Sequence, residues 1–298
     1  MRTWPWALAY MILLSNLFSQ NLSASDKEAF CYLPTENNVS YASIVELPTA
    51  QATAILKYGD DPLQFGELWL PSSQALDPSS SEQPLLVLIH GGCWLSEYDI
   101  EHSHALSSAL AASGYAVWAI EYRRTGDIGG GWPGSYDDIK AGIEFTQSLD
   151  DYSLDLSKVV ILGHSAGGHL TLLAGSDDDL VKRANISGVI GLAAITDITE
   201  YVKGSNDCQA AVPEFMGGLP VGNQQNYLAA NPANKKLHPK TFLLHGSEDQ
   251  IVPLEQATQS GIKLQVIQGA GHFDMIHPAT PSFQALLKKL QIKYKRAL

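Results

Sequence analysis

The chain has 298 residues, 45% of them apolar, and a formal net charge of −12. That is enough apolar residue for one large core. With no run of five or more Lys and Arg, the acidity speaks against nucleic acid or an anionic membrane surface as partner; its ordinary consequence is solubility.

Arg2 precedes an apolar stretch from Trp4 to Phe18, and Ser23-Ala24 offers a small-residue cleavage point. The stretch is short for a membrane span and no stop-transfer pattern follows. This predicts a secretory signal peptide over residues 1–24 and a secreted or periplasmic mature chain, with no stable membrane insertion once the leader is removed. An uncleaved N-terminal anchor is the alternative. Residues 25–50 are polar and read as irregular. Thr53–Tyr58 and Leu63–Leu70 are strand-like around a Gly/Asp/Pro turn and predict a hairpin. Residues 71–84 are rich in Ser and Pro and read as a loop.

From there strands and helices alternate. Strands are predicted at 85–89, 115–121, 158–162, 186–194, 240–244 and 262–267, with helices at about 100–113, 135–149 and 165–175. Such alternation implies an α/β chain with a parallel sheet covered by helices on both faces. Residues 196–235 break the rhythm and read as a short cap inserted into one domain spanning 25–298, with an ordinary surface excursion the alternative.

Four segments carry chemistry. Gly163-His164-Ser165-Ala166-Gly167 is a G-x-S-x-G motif between a strand and a helix. This turn, the nucleophile elbow, exposes a serine hydroxyl at a helix N-terminus, where developing negative charge is favoured. Downstream, the strand at 240–244 runs into His245-Gly246-Ser247-Glu248-Asp249, and Asp249 is the candidate acid, with Glu248 the alternative. The strand at 262–267 ends in Gly269-Ala270-Gly271-His272, and His272 is the candidate base. Upstream, His90-Gly91-Gly92-Cys93-Trp94 follows a buried strand. It predicts an oxyanion hole from backbone N–H groups near Gly92 and Cys93 together with Ala166. Each candidate falls at the C-terminal end of a strand, the edge of a parallel sheet where ligands bind. Trp94 and Trp132 are candidate walls of the substrate pocket, which would favour short acyl groups.

With these residues the chain resembles the α/β-hydrolases, in the branch with an HGG loop that includes hormone-sensitive-lipase-like esterases, arylformamidases and BD-FAE-type carboxylesterases. Tyr122-Arg123-Arg124 and Trp132-Pro133-Gly134 also match segments of that branch, and the resemblance covers roughly residues 50–295. Where many of the esterases carry a third glycine, this chain has Cys93-Trp94, nearer the formamidase form. The resemblance implies an α/β-hydrolase fold and a serine hydrolase cleaving a small-molecule ester through an acyl-enzyme, with no metal or organic cofactor. Amide hydrolysis, arylformamidase-like or of small peptides, is the alternative, and a non-catalytic binding protein on the same fold a second.

Other features are read as structural. His102 and His104 point apart on a helix and read as a surface pair rather than metal ligands. His164 reads as a packing residue, and Asp177–Asp179 as a solvated loop. Cys31, Cys93 and Cys208 allow one disulfide and a free thiol, with Cys31–Cys208 the conceivable pair.

Overall fold

The aliphatic runs of this sequence become the interior strands of one sheet. The computed structural model describes residues 32–72 and 82–294. The predicted leader, Cys31 and most of the Ser/Pro-rich stretch lie outside the described residues. Eight strands, β1 (Ala54–Lys57), β2 (Phe65–Trp69), β3 (Gln83–Ile89), β4 (Ala116–Ile120), β5 (Leu154–His164), β6 (Ile186–Leu192), β7 (Thr241–Gly246) and β8 (Lys263–Ile267), pair in the order β1-β2-β4-β3-β5-β6-β7-β8. The hairpin β1–β2 is antiparallel, β2 pairs antiparallel with β4, and every other pairing is parallel.

Burial tracks position in the sheet. β4 is buried throughout, whereas the edge strands β1 and β8 alternate. A central parallel strand is covered on both faces and so reads as continuous apolar sequence. Successive side chains of β3 therefore feed two different cores. Leu85, Val87 and Ile89 belong to one cluster, with Ile139, Ile143 and Leu170. Leu86 and Leu88 belong to the other, with Leu106, Leu110, Leu286 and Leu290.

The helices supply those partners. α1 (Tyr41–Val45), α2 (His104–Ala112), α3 (Gly134–Glu144), α4 (Ala166–Ala174) and α5 (Asp178–Arg183) precede β6 or lie before it in the chain. Four short helices, α6 (Ile198–Tyr201), α7 (Asp207–Ala210), α8 (Val212–Met216) and α9 (Gln224–Ala230), fill the segment between β6 and β7. α10 (Leu254–Thr258) and α11 (Pro281–Tyr294) complete the set. Among the described residues, no helix is long and apolar enough to cross a membrane.

Two stretches differ from expectation. Residues 32–50 are not merely irregular. They contain α1, whose N-cap Ser40 accepts the Ser43 N–H, and Ile44 of α1 is buried. His102 is 4% exposed, not a surface residue, because it lies in a 3-10 turn (Ile100–Ser103) and packs against His90 and Tyr41.

Candidate active site

Parallel pairing puts the C-terminal ends of β3, β5, β7 and β8 on one edge of the sheet. The chain leaves β5 at Ser165 in a left-handed conformation, φ 56° and ψ −120°, and enters α4 at once. A non-glycine residue holds such a geometry only when its surroundings over-determine it. Here the Ser165 N–H donates to the Leu192 carbonyl (2.9 Å) and its own carbonyl accepts the His169 N–H (3.0 Å). The flanking glycines are needed for space: a Cβ on Gly167 would strike the Ile89 and His90 carbonyls, and one on Gly163 the Thr171 hydroxyl and the Gly167 carbonyl.

Asp249 and His272 come together from the ends of β7 and β8. His272 Nδ1 donates to Asp249 Oδ2 at 2.7 Å, while Asp249 Oδ1 accepts the N–H groups of Ile251 (2.9 Å) and Val252 (2.8 Å). Burial works to raise the Asp249 carboxyl, but His272, His245 and the Val252 N–H outweigh it and hold the group below its ordinary value. Glu248, the alternative acid, is exposed. With Nδ1 committed to Asp249, the remaining ring nitrogen, Nε2, is the one free to serve a substrate. His245 Nε2 donates to the Val252 carbonyl (2.8 Å) and so braces the loop that carries Asp249.

Ser165 and His272 line one cavity of about 160 Å³, together with Gly92 and Cys93. Among the described residues, no carbonyl accepts the Gly92 or Cys93 N–H. The Ala166 N–H is the first of α4 and has no partner within the helix. Gly92, Cys93 and Trp94 are all left-handed, at φ 101°, 54° and 60°. The loop is braced from below. His90 Nε2 donates to Glu121 Oε1 (3.0 Å), the His90 ring stacks on Tyr122 (4.5 Å), and the Tyr122 hydroxyl donates to the His90 carbonyl (3.1 Å). Arg124 reaches the Tyr98 carbonyl (2.8 Å) and Glu121 Oε2 (3.3 Å), so the Tyr122-Arg123-Arg124 segment acts as scaffold for the glycine loop.

Several expected side chains lie elsewhere. Trp94 is fully buried, stacked on Phe215 (4.8 Å, 12°) and edge-on to His169 (5.4 Å), and does not line the cavity. The left-handed turn at Trp94 directs the ring into the core. Trp132 also lies off the cavity, its ring stacked on Tyr136 (5.6 Å) and its backbone N–H donated to the Phe215 carbonyl (2.8 Å). The Cys31–Cys208 pairing is overturned: Cys208, at the start of α7, is bonded to Cys93. Both cysteines line the cavity.

The walls come instead from residues the motifs did not mark. Tyr41 of α1 lines the cavity with Tyr98, His102 and Phe273, and packs on each of the three at 5.5–6.0 Å between ring centroids. The segment carrying Tyr41 is fastened to the His272 loop: Asp274, fully buried, accepts the N–H groups of Asn38 (2.9 Å), Val39 (3.0 Å) and Gly271 (3.1 Å). An acidic residue two positions after the histidine was a weak clue, since nothing in sequence names its distant partners. His164 lines the cavity too and donates from Nε2 to the His272 carbonyl (3.1 Å). Burial, with His272 and His102 nearby, pushes its imidazole well below the usual histidine range, so it stays neutral. Burial likewise lowers His102 to about 3.

Over 247 residues the chain is 27% identical to the esterase LipC of Mycobacterium tuberculosis, covering 74% of this chain and 60% of that protein. It is 23% identical to the kynurenine formamidase avaC of Aspergillus versicolor, over 60% of this chain and 75% of that one. The chain thus spans about three-fifths of LipC. Among solved structures, esterase B of Lactobacillus rhamnosis superposes with a TM-score of 0.64 at 19% identity, covering 85% of this chain and 89% of that one; the fold is that of the α/β-hydrolases. The BD-FAE family profile matches residues 74–264, nearly two-thirds of the chain, and the chain belongs to the BD-FAE family of α/β-hydrolases.

Proposed function

We propose that this chain is a serine hydrolase that cleaves a small carboxylic ester through an acyl-enzyme. The observation that carries the reading is one cavity lined by an elbow serine, a histidine already bonded to a buried aspartate, and Gly92 and Cys93, whose N–H groups are unpaired among the described residues. Ser165 Oγ attacks the carbonyl as His272 Nε2 takes its proton. Asp249 keeps the proton on Nδ1 and stabilises the imidazolium. The N–H groups of Gly92 or Cys93 and of Ala166 meet the oxyanion, each worth roughly 3 kcal/mol in the transition state. His272 then protonates the leaving alkoxide, and water, activated by the same ring, hydrolyses the acyl-enzyme.

The small size of the cavity supports short acyl groups. At about 160 Å³ it is the size that holds a benzene-sized group. The walls that limit it are Tyr41, Tyr98, Phe273 and the Cys93–Cys208 pair rather than Trp94 and Trp132. The formamidase relative keeps N-formyl amides as the second reading. The disulfide also favours an oxidising compartment, in keeping with the leader predicted for residues 1–24.

The test is a substrate panel on purified protein: acetyl, butyryl and dodecanoyl esters, N-formyl anilides and peptides, with a fluorophosphonate probe alongside. Covalent labelling of Ser165 and turnover falling from butyryl to dodecanoyl are expected. No labelling would favour a binding protein. Faster N-formyl than ester turnover would favour the second reading, and efficient dodecanoyl turnover would end the short-acyl one.

A further inference from the structure

The short helix α7 reaches the cavity through Cys208 and acts as a strap at its side. Its N-cap, Asn206, forms a reciprocal capping box with Gln209, which fixes the helix start. The Asn206 amide also donates to the carbonyls of Gln250 (3.2 Å) and Ile251 (2.9 Å), directly after Asp249. Two residues on, Cys208 is bonded to Cys93. One end of the strap thus holds the loop of the candidate acid, and the other is covalently joined to the loop of the candidate oxyanion hole.

The Cys93 end stands where restraint is needed. Cys93 is a non-glycine residue at φ 54°, between a left-handed glycine and a left-handed tryptophan. Trp94 is locked by its packing on Phe215 and His169. Cys93 lines the cavity, and its side chain is held by the bond to Cys208. We propose that the Cys93–Cys208 disulfide is a positioning and specificity element of the reaction, holding the Cys93 N–H toward the oxyanion and walling the cavity on the substrate's side. This rests on the hydrolase reading given above. Without the bond, the left-handed Cys93 is free to relax toward ordinary backbone geometry and turn its N–H away. The strap is then fastened at the Asn206 end alone, and the cavity widens.

The experiment compares oxidised wild type, wild type reduced with dithiothreitol, and Cys208→Ser. In the reduction, one thiolate of the reagent attacks a protein sulfur and its second thiol displaces the mixed disulfide. Two electrons pass to the protein, which gains two thiols, and the reagent leaves as a cyclic disulfide. On p-nitrophenyl acetate, kcat should fall about ten- to a hundredfold with KM changed by less than about threefold, somewhat short of losing an oxyanion donor outright. The ratio of octanoyl to acetyl turnover should rise. Cys208→Ser should match the reduced wild type and ignore the reductant, and reoxidation should restore kcat, so the wild type alone decides the matter if the variant folds poorly. All assays run well below the melting temperature of each form.

A bridge that is only structural would lower the melting temperature and leave kcat and the octanoyl-to-acetyl ratio of the folded enzyme unchanged. That result overturns the proposal, as would alkylation of Cys93 and Cys208 in the native, oxidised protein. If oxidised wild type neither turns over any ester nor takes the fluorophosphonate, the hydrolase reading fails and this proposal with it. An active enzyme indifferent to reduction sinks the proposal alone.

Discussion

The floor and the flanks of the serine cavity are built by different means. The floor is made at strand ends: Ser165 after β5, the glycine loop after β3, Asp249 after β7 and His272 after β8. Each is placed by a parallel sheet whose neighbours are fixed by backbone hydrogen bonds. The flanks are straps. The N-terminal one brings Tyr41 and is held by Asp274, and the one between β6 and β7 brings Cys208 and is held by Asn206 and the disulfide. On the proposed hydrolase reading, the floor would carry the groups that any ester needs and the flanks would select among esters. A sheet edge tolerates little change without losing its pairing, while a strap pinned by a few side chains can be altered without disturbing the sheet.

The largest effect expected on this division is at the floor. Ser165→Ala should lower kcat by about 10⁴-fold or more, with an unchanged melting curve, since the change removes only the hydroxyl from the turn. Asp249→Asn should fall in the same range and Glu248→Gln within about twofold. If Glu248→Gln proved the crippling change, the acid would have to be reassigned.

Trp94 sharpens the boundary between floor and flank, because it follows the oxyanion loop in sequence yet packs in the core. Trp94→Ala should destabilise the protein by roughly 3–5 kcal/mol in urea unfolding and leave the acyl-length preference unextended. A gain of long-chain turnover with little loss of stability would return the ring to the pocket wall.

The packing that anchors the β6–β7 segment also predicts a pH dependence. His169 donates to the Ala230 carbonyl (2.7 Å) beneath Trp94, and burial lowers it from 6.5 to about 4. The unfolded chain takes up this proton below about 6.5, the folded one only near 4. The stabilising contribution is therefore fully present above 6.5 and is lost as pH falls through that window, by about 1.4 kcal/mol per pH unit. His169→Gln, which keeps a donor for Ala230, should give a shallower fall in denaturant-derived stability between pH 6.5 and 4. An equal slope in the variant would place the pH sensitivity elsewhere.

The smallest effect belongs to the N-terminal strap. Tyr41→Ala removes one cavity wall and should cost about tenfold in kcat/KM on acetyl esters, the scale of one apolar pocket contact. Relative turnover of bulkier esters should rise. Loss of activity on the scale of Ser165→Ala would mean that the strap does more than shape the pocket.

The sequence by itself determined the sheet, the order of its chemistry-bearing loops and the identity of the groups at its edge. Those rest on local signals: aliphatic runs for buried strands, glycines where backbones meet, and a serine, an acid and a histidine each just past a strand. The pairing of His272 with Asp249 rather than Glu248, the inward turn of Trp94, the descent of His102 from the surface and the choice of Cys93 over Cys31 as the partner of Cys208 were decided only by tertiary structure. Each of these depends on what lies across the fold. Cys93 and Cys208 are 115 residues apart, and Asn38 and Asp274 are 236 apart. No period or spacing records such a meeting, because it is set by where the straps come to rest once the sheet has formed.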